Sequence, residues 1–179
     1  MEDIELLSKV KTDDREAFDS LFLRYYPLLS DFCRFLGIGD DDGEDIVADV
    51  FLDLWIKRER LYIHTSLKSY LYGAVKNKVY ALKRQNQKLQ LLPEEYASDQ
   101  AISDHLHPDE ILVKKERLKM IERFAEELPE QGKVVFLMNW QHQLEHHEIA
   151  EILNISVNTV RTHIYRAINY FRKRLLSVK

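Results

Sequence analysis

Asn158, Thr159, Arg161, Thr162, Tyr165 and Arg166 share one face of the segment that contains them if that segment is helical. Their amide, hydroxyl and guanidinium groups can hydrogen-bond base edges and pair with phosphates, which is the chemistry of duplex recognition. Val157, Val160, Ile164 and Ile168 recur at helical spacing on the other side and are expected to face a core. Ser156, just ahead of them, can cap the helix N-terminus and adds a hydroxyl to the same edge. Upstream, Glu148 to Leu153 reads as a short helix whose Ile149, Ala150 and Leu153 lie together, with small Ala150 allowing a close crossing. Asn154 suits the left-handed position that ends such a helix, and Ile155 plugs the turn. The pair is a helix-turn-helix whose second helix fits a DNA major groove. The same pattern also fits an ordinary antiparallel helix pair with a solvated polar face.

A second group with chemical potential lies between Ser66 and Arg84. Lys68, Lys76, Asn77, Lys83 and Arg84 alternate there with Tyr70, Tyr72 and Tyr80. Aromatic rings beside cations suit unstacked bases on a single strand, where stacking contributes about 1–3 kcal/mol per base. Each tyrosine fits a core or snorkelling position equally well. A third group is acidic: Asp45, Asp49 and Asp53 recur every four residues beside Phe51 and Trp55. That row fits a partner-binding or solvated face better than a divalent-ion stripe.

His142, His146 and His147 invite a metal reading, but no cysteine is near and Glu145 and Glu148 are common surface types. No Gly-rich phosphate loop, nucleophile motif or acid–base constellation appears, so the chain is expected to be no enzyme and to need no metal or cofactor. No apolar run approaches the roughly 18 residues of a membrane span, and Met1-Glu2-Asp3 begins no signal peptide. Cys33 is the single cysteine, set among Phe32, Phe35 and Leu36, which points to burial and a reducing compartment. A cytoplasmic protein without membrane insertion is expected.

The net charge of −4 looks wrong for a nucleic-acid binder until it is resolved along the chain. Asp40 to Trp55 carries only acidic charges, whereas Lys57 to Lys88 carries nine cations against Glu59 alone. Pro93 to Gly132 is acidic again, and Lys133 to Lys179 is basic. Two separate basic surfaces follow, hence two contacts with nucleic acid.

Few glycines and prolines favour an all-α fold. A short helix over Ile4–Val10 precedes one starting at Asp13 or Asp14, which Pro27 should kink or restart before a stop at Gly37 and Gly39. Further helices fit Glu44 to about Arg60, and Ser66 to near Gln85. Beyond the polar stretch, helices follow from Asp109 and from Pro129, and the last helix runs to Leu176. Two small helical domains, 1–86 and 109–179, are joined by a flexible linker at 87–108, with the helix-turn-helix in the second.

The order of these segments resembles an extracytoplasmic-function sigma factor. The resemblance rests on Glu44–Trp55, then Ser66–Arg84, then Glu148–Ala167, and spans about residues 14–85 and 109–176. The wording of Ser66–Tyr72 is similar to the expanded set of such factors in Bacteroidetes-like bacteria. The resemblance implies that Asp45, Asp49, Phe51, Asp53 and Trp55 bind the clamp helices of core RNA polymerase. It implies that His64, Lys68, Tyr70, Lys76, Asn77, Tyr80, Lys83 and Arg84 melt and read the minus-ten promoter element. Ser156, Asn158, Thr159, Arg161, Thr162, Tyr165 and Arg166 would read the minus-thirty-five element. Core polymerase, promoter DNA and an anti-sigma factor are the implied partners. Ala48 stands where the family commonly has Gln, His163 where Arg is common, and Leu144–His147 where Ser or Thr usually starts the first motif helix.

A helix-turn-helix regulator acting without polymerase is the main alternative, but it leaves the Ser66–Arg84 helix unexplained. A protein-only adaptor is a third. The polar stretch at 87–108 holds too few apolar residues to dock firmly, so limited proteolysis of the full chain should cut there first and release two folded fragments. Cleavage confined to the termini would show a closed, compact free state instead.

Overall fold

The computed structural model describes residues 2–63, 65–89, 120–121 and 123–177, and every regular element among them is a helix. They form α1 (Asp3–Lys11), α2 (Arg15–Phe35), α3 (Asp40–Lys57) with a 3-10 turn at Arg58–Arg60, and α4 (Leu67–Leu89). After helical residues at 120–121 and 123–126 come α5 (Glu130–Trp140), α6 (His146–Leu153) and α7 (Val157–Ser177). The chain divides into two compact units, one built on α1–α4 and one on α5, α7 and the first part of α6, with Glu151–Leu153 grouped in the first.

Helix α2 begins where the Asp14 carboxylate accepts a 3.0 Å bond from the Ala17 N–H, and it buries Ala17, Leu21, Tyr25, Leu29, Phe32 and Cys33. Pro27 neither breaks nor restarts it. Both Pro27 and Leu23, whose carbonyl loses its helical donor, lie on the exposed side, where water can serve that oxygen. The helix ends at Gly37 with φ +76°, where Gly37 N–H bonds the Arg34 carbonyl at 2.8 Å and Ile38 N–H the Cys33 carbonyl at 3.0 Å. This is a Schellman ending, and only glycine adopts its backbone without strain.

Helix α3 starts earlier than its hydrophobic pattern indicates, at Asp40 behind Gly39, because three aspartates favour a first turn by charge rather than by burial. Gly43 brings α3 close to α2: a Cβ there would stand 3.2 Å from Cys33 Cβ. Burial at that crossing pushes the Cys33 thiol up to about 11, so it stays protonated and unreactive. Ile46, Val47, Val50, Phe51 and Leu54 face inward. Phe51 packs its ring edge to face against Phe18 and Phe22, with centroids 6.0 and 4.9 Å away, and is 2% exposed. It is therefore a core residue of this unit rather than part of the exposed face of α3, because its place on the α3 stripe turns it toward α2.

Helix α4 is capped by Ser66, whose Oγ accepts the Ser69 N–H at 3.0 Å. It buries Leu67, Leu71, Tyr72, Val75 and Val79, with Tyr72 4.8 Å from the Phe32 ring. It continues to Leu89, so the first residues assigned to the linker are helical, Gln and Lys being good helix formers. The rest of the linker and the helix expected from Asp109 lie outside the described residues, apart from 120–121 and 123–126.

In the second unit α5 buries Val135, Phe136, Leu137 and Met138. Phe136 meets Phe171 of α7 edge to face at 4.8 Å. The α7 stripe runs through Val160, Ile164 and Ala167, while Ile168 is 40% exposed. Ile168 was expected inside; the 3.6-residue period carries the stripe to Ala167 instead. Phe51→Ala should lower the unfolding free energy by about 3–5 kcal/mol in a urea titration, the usual loss for a buried Phe. A surface residue would cost far less.

Candidate functional site

The helix-turn-helix is held by three local hydrogen-bond devices. Helix α6 starts at His146, where Glu148 turns back so that its carboxylate accepts the Glu145 N–H at 2.9 Å. The missing Ser or Thr cap is thus compensated from within the first turn. Glu148 is nearly buried at 6% exposure. At the other end Asn154 adopts φ +54°, and Ile155 N–H bonds the Ala150 carbonyl at 3.0 Å. Ser156 then caps α7 through a 3.0 Å bond from the Thr159 N–H.

Ile149 and Val160 are fully buried, which sets the roll of α7 about its axis. Asn158, Arg161, Thr162, Tyr165 and Arg166 emerge on its exposed face, with Thr159 half-buried at the edge. Tyr165 is 68% exposed. Some hydroxyls are already engaged: Thr162 donates to the Asn158 carbonyl at 2.8 Å, and Thr159 Oγ1 lies 2.8 Å from Ser156 Oγ. Arg161 and Arg166 have no ion pair among the described residues. His163 is half-buried beside α5, its Nδ1 3.6 Å from where a Cβ on Gly132 would lie. It packs inward, away from the exposed row of α7.

The structure sorts the α4 residues into different roles. Asn77, Tyr80 and Arg84 form one exposed row, with Arg84 Nε donating to the Tyr80 carbonyl at 3.3 Å. Tyr72 is core. Tyr70 is half-buried on the side toward α3, and burial raises its hydroxyl pKa, with Lys57 lowering and Asp53 raising it. Lys68 is half-buried in the first turn, and Lys76 precedes Asn77 on the flank. Lys83 does not face outward: its ammonium donates to the Leu36 carbonyl at the C-terminal end of α2. A helix C-terminus has orphan carbonyls and negative dipole character, and this one captures the cation. In the free chain Lys83 thus serves the end of α2. His64 lies outside the described residues. Tyr62, 77% exposed on the connection between α3 and α4, is an aromatic that the helical patterns did not single out.

The outer face of α3 carries Asp45, Ala48, Asp49, Leu52 and Ile56. Leu52 and Ile56 are 55% and 65% exposed and were missed, because an apolar residue off the buried stripe gives no periodic signal. Trp55 is half-buried, 5.0 Å from the Phe18 ring and with the Arg58 guanidinium 4.4 Å above it. Arg58 also pairs with Asp13 and donates to the Trp55 carbonyl at 2.7 Å, so the tryptophan is fixed at the end of the face. Asp53 sits to one side, bonded to Lys57 and Lys78.

Among the described residues no group of three His, Cys, Asp or Glu side chains could hold a metal ion. No described helix is long and apolar enough to cross a membrane. The exposed faces offer hydrogen-bond donors, cations and aromatics.

Residues 21–89 match the family description Sigma-70 region 2, and residues 118–169 match Sigma-70, region 4. The chain belongs to the sigma-70 family of RNA polymerase sigma factors, in its extracytoplasmic-function branch. It is 27% identical over 177 residues to the ECF RNA polymerase sigma factor SigW of Bacillus subtilis, covering 94% of each chain. It is 25% identical over 170 residues to the ECF RNA polymerase sigma-E factor of Escherichia coli, covering 90% of this chain and 88% of that one. Its fold is similar to CnrH in complex with the cytosolic domain of CnrY, with a TM-score of 0.65 and 19% identity over 99% of both chains. It is also similar to the sigma factor RpoE in complex with the anti-sigma factor NepR from Bartonella quintana. There the TM-score is 0.62 and the identity 21%, over 88% of this chain and 96% of that one.

The cap at α6 yields a direct test. Glu148→Ala should cost about 1 kcal/mol, the usual loss of a helix cap, and lower the melting temperature. Glu148→Gln, whose amide oxygen still accepts the Glu145 N–H, should retain most of that stability. Equal losses in both variants would show that the carboxylate's charge, not the cap, matters.

Proposed function

We propose that this sigma factor directs core RNA polymerase to its promoters through three separate surfaces. The observation that carries the reading is the exposed row on α7, Asn158, Arg161, Thr162, Tyr165 and Arg166, held rigid by caps at both ends of the turn. Ser156 and Thr159 flank it at the α7 N-terminus. This row reads the upstream promoter element in the major groove, with Arg161 and Arg166 as the discriminating donors. The α4 row Asn77, Tyr80 and Arg84, flanked by Lys68, Tyr70 and Lys76 and preceded by His64, engages the downstream element as it opens. Its aromatic and cationic groups suit unstacked bases. The outer face of α3, with Asp45, Asp49, Leu52, Asp53, Trp55 and Ile56, binds polymerase by charge and apolar contact together.

Residues 1–86, extended by the end of α4, form the polymerase- and downstream-binding domain, and residues 109–179 the upstream-binding domain. The protein works in the cytoplasm and has no catalytic groups of its own; polymerase does the chemistry. An anti-sigma factor that covers one of the polymerase-binding surfaces is its regulator. The complex of a sigma factor of similar fold with an anti-sigma factor supports that assignment.

Run-off transcription with core polymerase, with and without this protein, tests the reading; a repressor or adaptor would yield no added product. In the same assay Arg161→Ala and Arg166→Ala should relax preference at the upstream element by about 1–3 kcal/mol per guanine contact. Asn77→Ala and Tyr80→Ala should impair opening of a duplex promoter, followed by permanganate footprinting, and recover on a template already melted at the downstream element. Arginine variants that fail on every template, beside α4 variants that lose only upstream affinity, would reverse the roles.

A further inference from the structure

The acidic row of α3 is divided by a cation from within the same unit. Lys78 Nζ on α4 lies 3.2 Å from a carboxylate oxygen of Asp49 and 3.2 Å from one of Asp53. Lys57 approaches Asp53 at 3.3 Å from the other side. Asp45, one turn earlier, is exposed and has no ion pair among the described residues. Hydrogen bonds from Lys78 first and Lys57 second hold the Asp53 carboxyl below its ordinary pKa. For Lys78 itself partial burial disfavours the charge, but its bonds to Asp49 and Asp53 outweigh this and raise its pKa.

The geometry of exposure matters here. The Lys78 side chain is 33% exposed, whereas Asp49 and Asp53 are 64% and 40% exposed. The carboxylates therefore stand open to an approaching partner while their internal counter-ion sits behind them. Exposed pairs of this kind are weak enough to be exchanged for an incoming cation.

We propose that Lys78 is a built-in counter-ion that a cationic side chain of core polymerase competes with, so that Lys78 weakens polymerase binding without touching polymerase. The inference rests on reading the outer face of α3 as the polymerase surface. It makes Lys78 a residue that sets affinity by occupying Asp49 and Asp53, and leaves Asp45 as the first electrostatic contact. Removing its charge leaves two hydrated carboxylates rather than a buried unpaired one, so the fold tolerates the change.

The test titrates labelled full-length protein with core polymerase at low and at high salt. Lys78→Met should bind about threefold to tenfold tighter at low salt, the size of one unit charge acting across a hydrated surface. The gain should shrink toward parity at high salt. Lys78→Arg, which keeps the charge, and Lys9→Met, which makes the same net change on α1, should both bind like wild type. In an Asp49→Asn, Asp53→Asn background Lys78→Met should have no effect. Should Lys78→Met melt too low to assay, Lys78→Gln keeps a donor, removes the charge and carries the same expectation. Asp45→Lys separates the two levels of the argument. If it binds polymerase normally, the α3 reading itself fails. If it loses binding while the Lys78 variants bind at or below wild-type strength, the α3 reading stands and the counter-ion inference is overturned.

Discussion

Burial of Leu21, Leu29, Phe32, Val47, Val50, Leu54, Leu71, Val75 and Val79 in one core fixes how far α2, α3 and α4 are each rotated about their own axes. With 3.6 residues per turn, a helix that buries one stripe has no freedom left in what it shows on the other side. For α3 this sends Asp45, Ala48, Asp49, Leu52 and Ile56 outward as a unit. For α4 it sends out Asn77, Tyr80 and Arg84. The Gly43–Cys33 approach tightens the same arrangement, since a larger residue at 43 would push α3 away from α2. The working faces are thus consequences of packing, and a core substitution would disturb them without touching them.

Charge follows a different logic from burial, because several of its partners are chosen across the fold as well as along the sequence. The basic block from Lys57 to Lys88 reads as one positive surface, yet part of it is engaged internally. Lys57 and Lys78 serve α3 carboxylates, Arg58 joins Asp13 to Trp55, and Lys83 satisfies the end of α2. On the proposed reading, what remains for nucleic acid is a narrower strip along α4. A similar division occurs in the second unit, where Arg174 pairs with Glu127 while Arg161 and Arg166 stay on the exposed face. Local potential is set by what is left after internal pairing, not by the composition of a segment.

That difference explains what could be read in advance. Ser66, Asn154 and Ser156 were legible because caps and left-handed turn positions depend on a few neighbouring residues. The division into helices and the exposed face of α7 were legible from period alone. Lys83 was not, since its partner Leu36 is 47 positions away and offers only a backbone oxygen. Phe51 lies on the apolar side of its helix and also beside carboxylates, so its packing was open until the position of α2 was known. Leu52 and Ile56 left no periodic trace, and Ile168 sat at the edge of a stripe where a single position decides between inside and outside. The capping role of Glu148 was hidden behind an unusual start to its helix, although a Glu three residues past a cap position is a local signal.

The two kinds of face also demand different rigidity. An arginine that reads a guanine must hold both donors in register, which requires a recognition helix that cannot roll. On the proposed reading of α7, the caps at Glu145 and Ser156, the Asn154 turn and the Phe136–Phe171 contact supply that stiffness. The α3 face asks less of geometry and more of solvation. Two large aliphatic side chains one turn apart would be a liability on an uncharged surface. Flanked by Asp45, Asp49 and Asp53, they remain hydrated until a partner covers them. On the proposed reading, the acidic row therefore keeps the apolar contacts in water in the free protein and draws in a cationic partner that makes their burial favourable. Neither effect requires α3 to change shape.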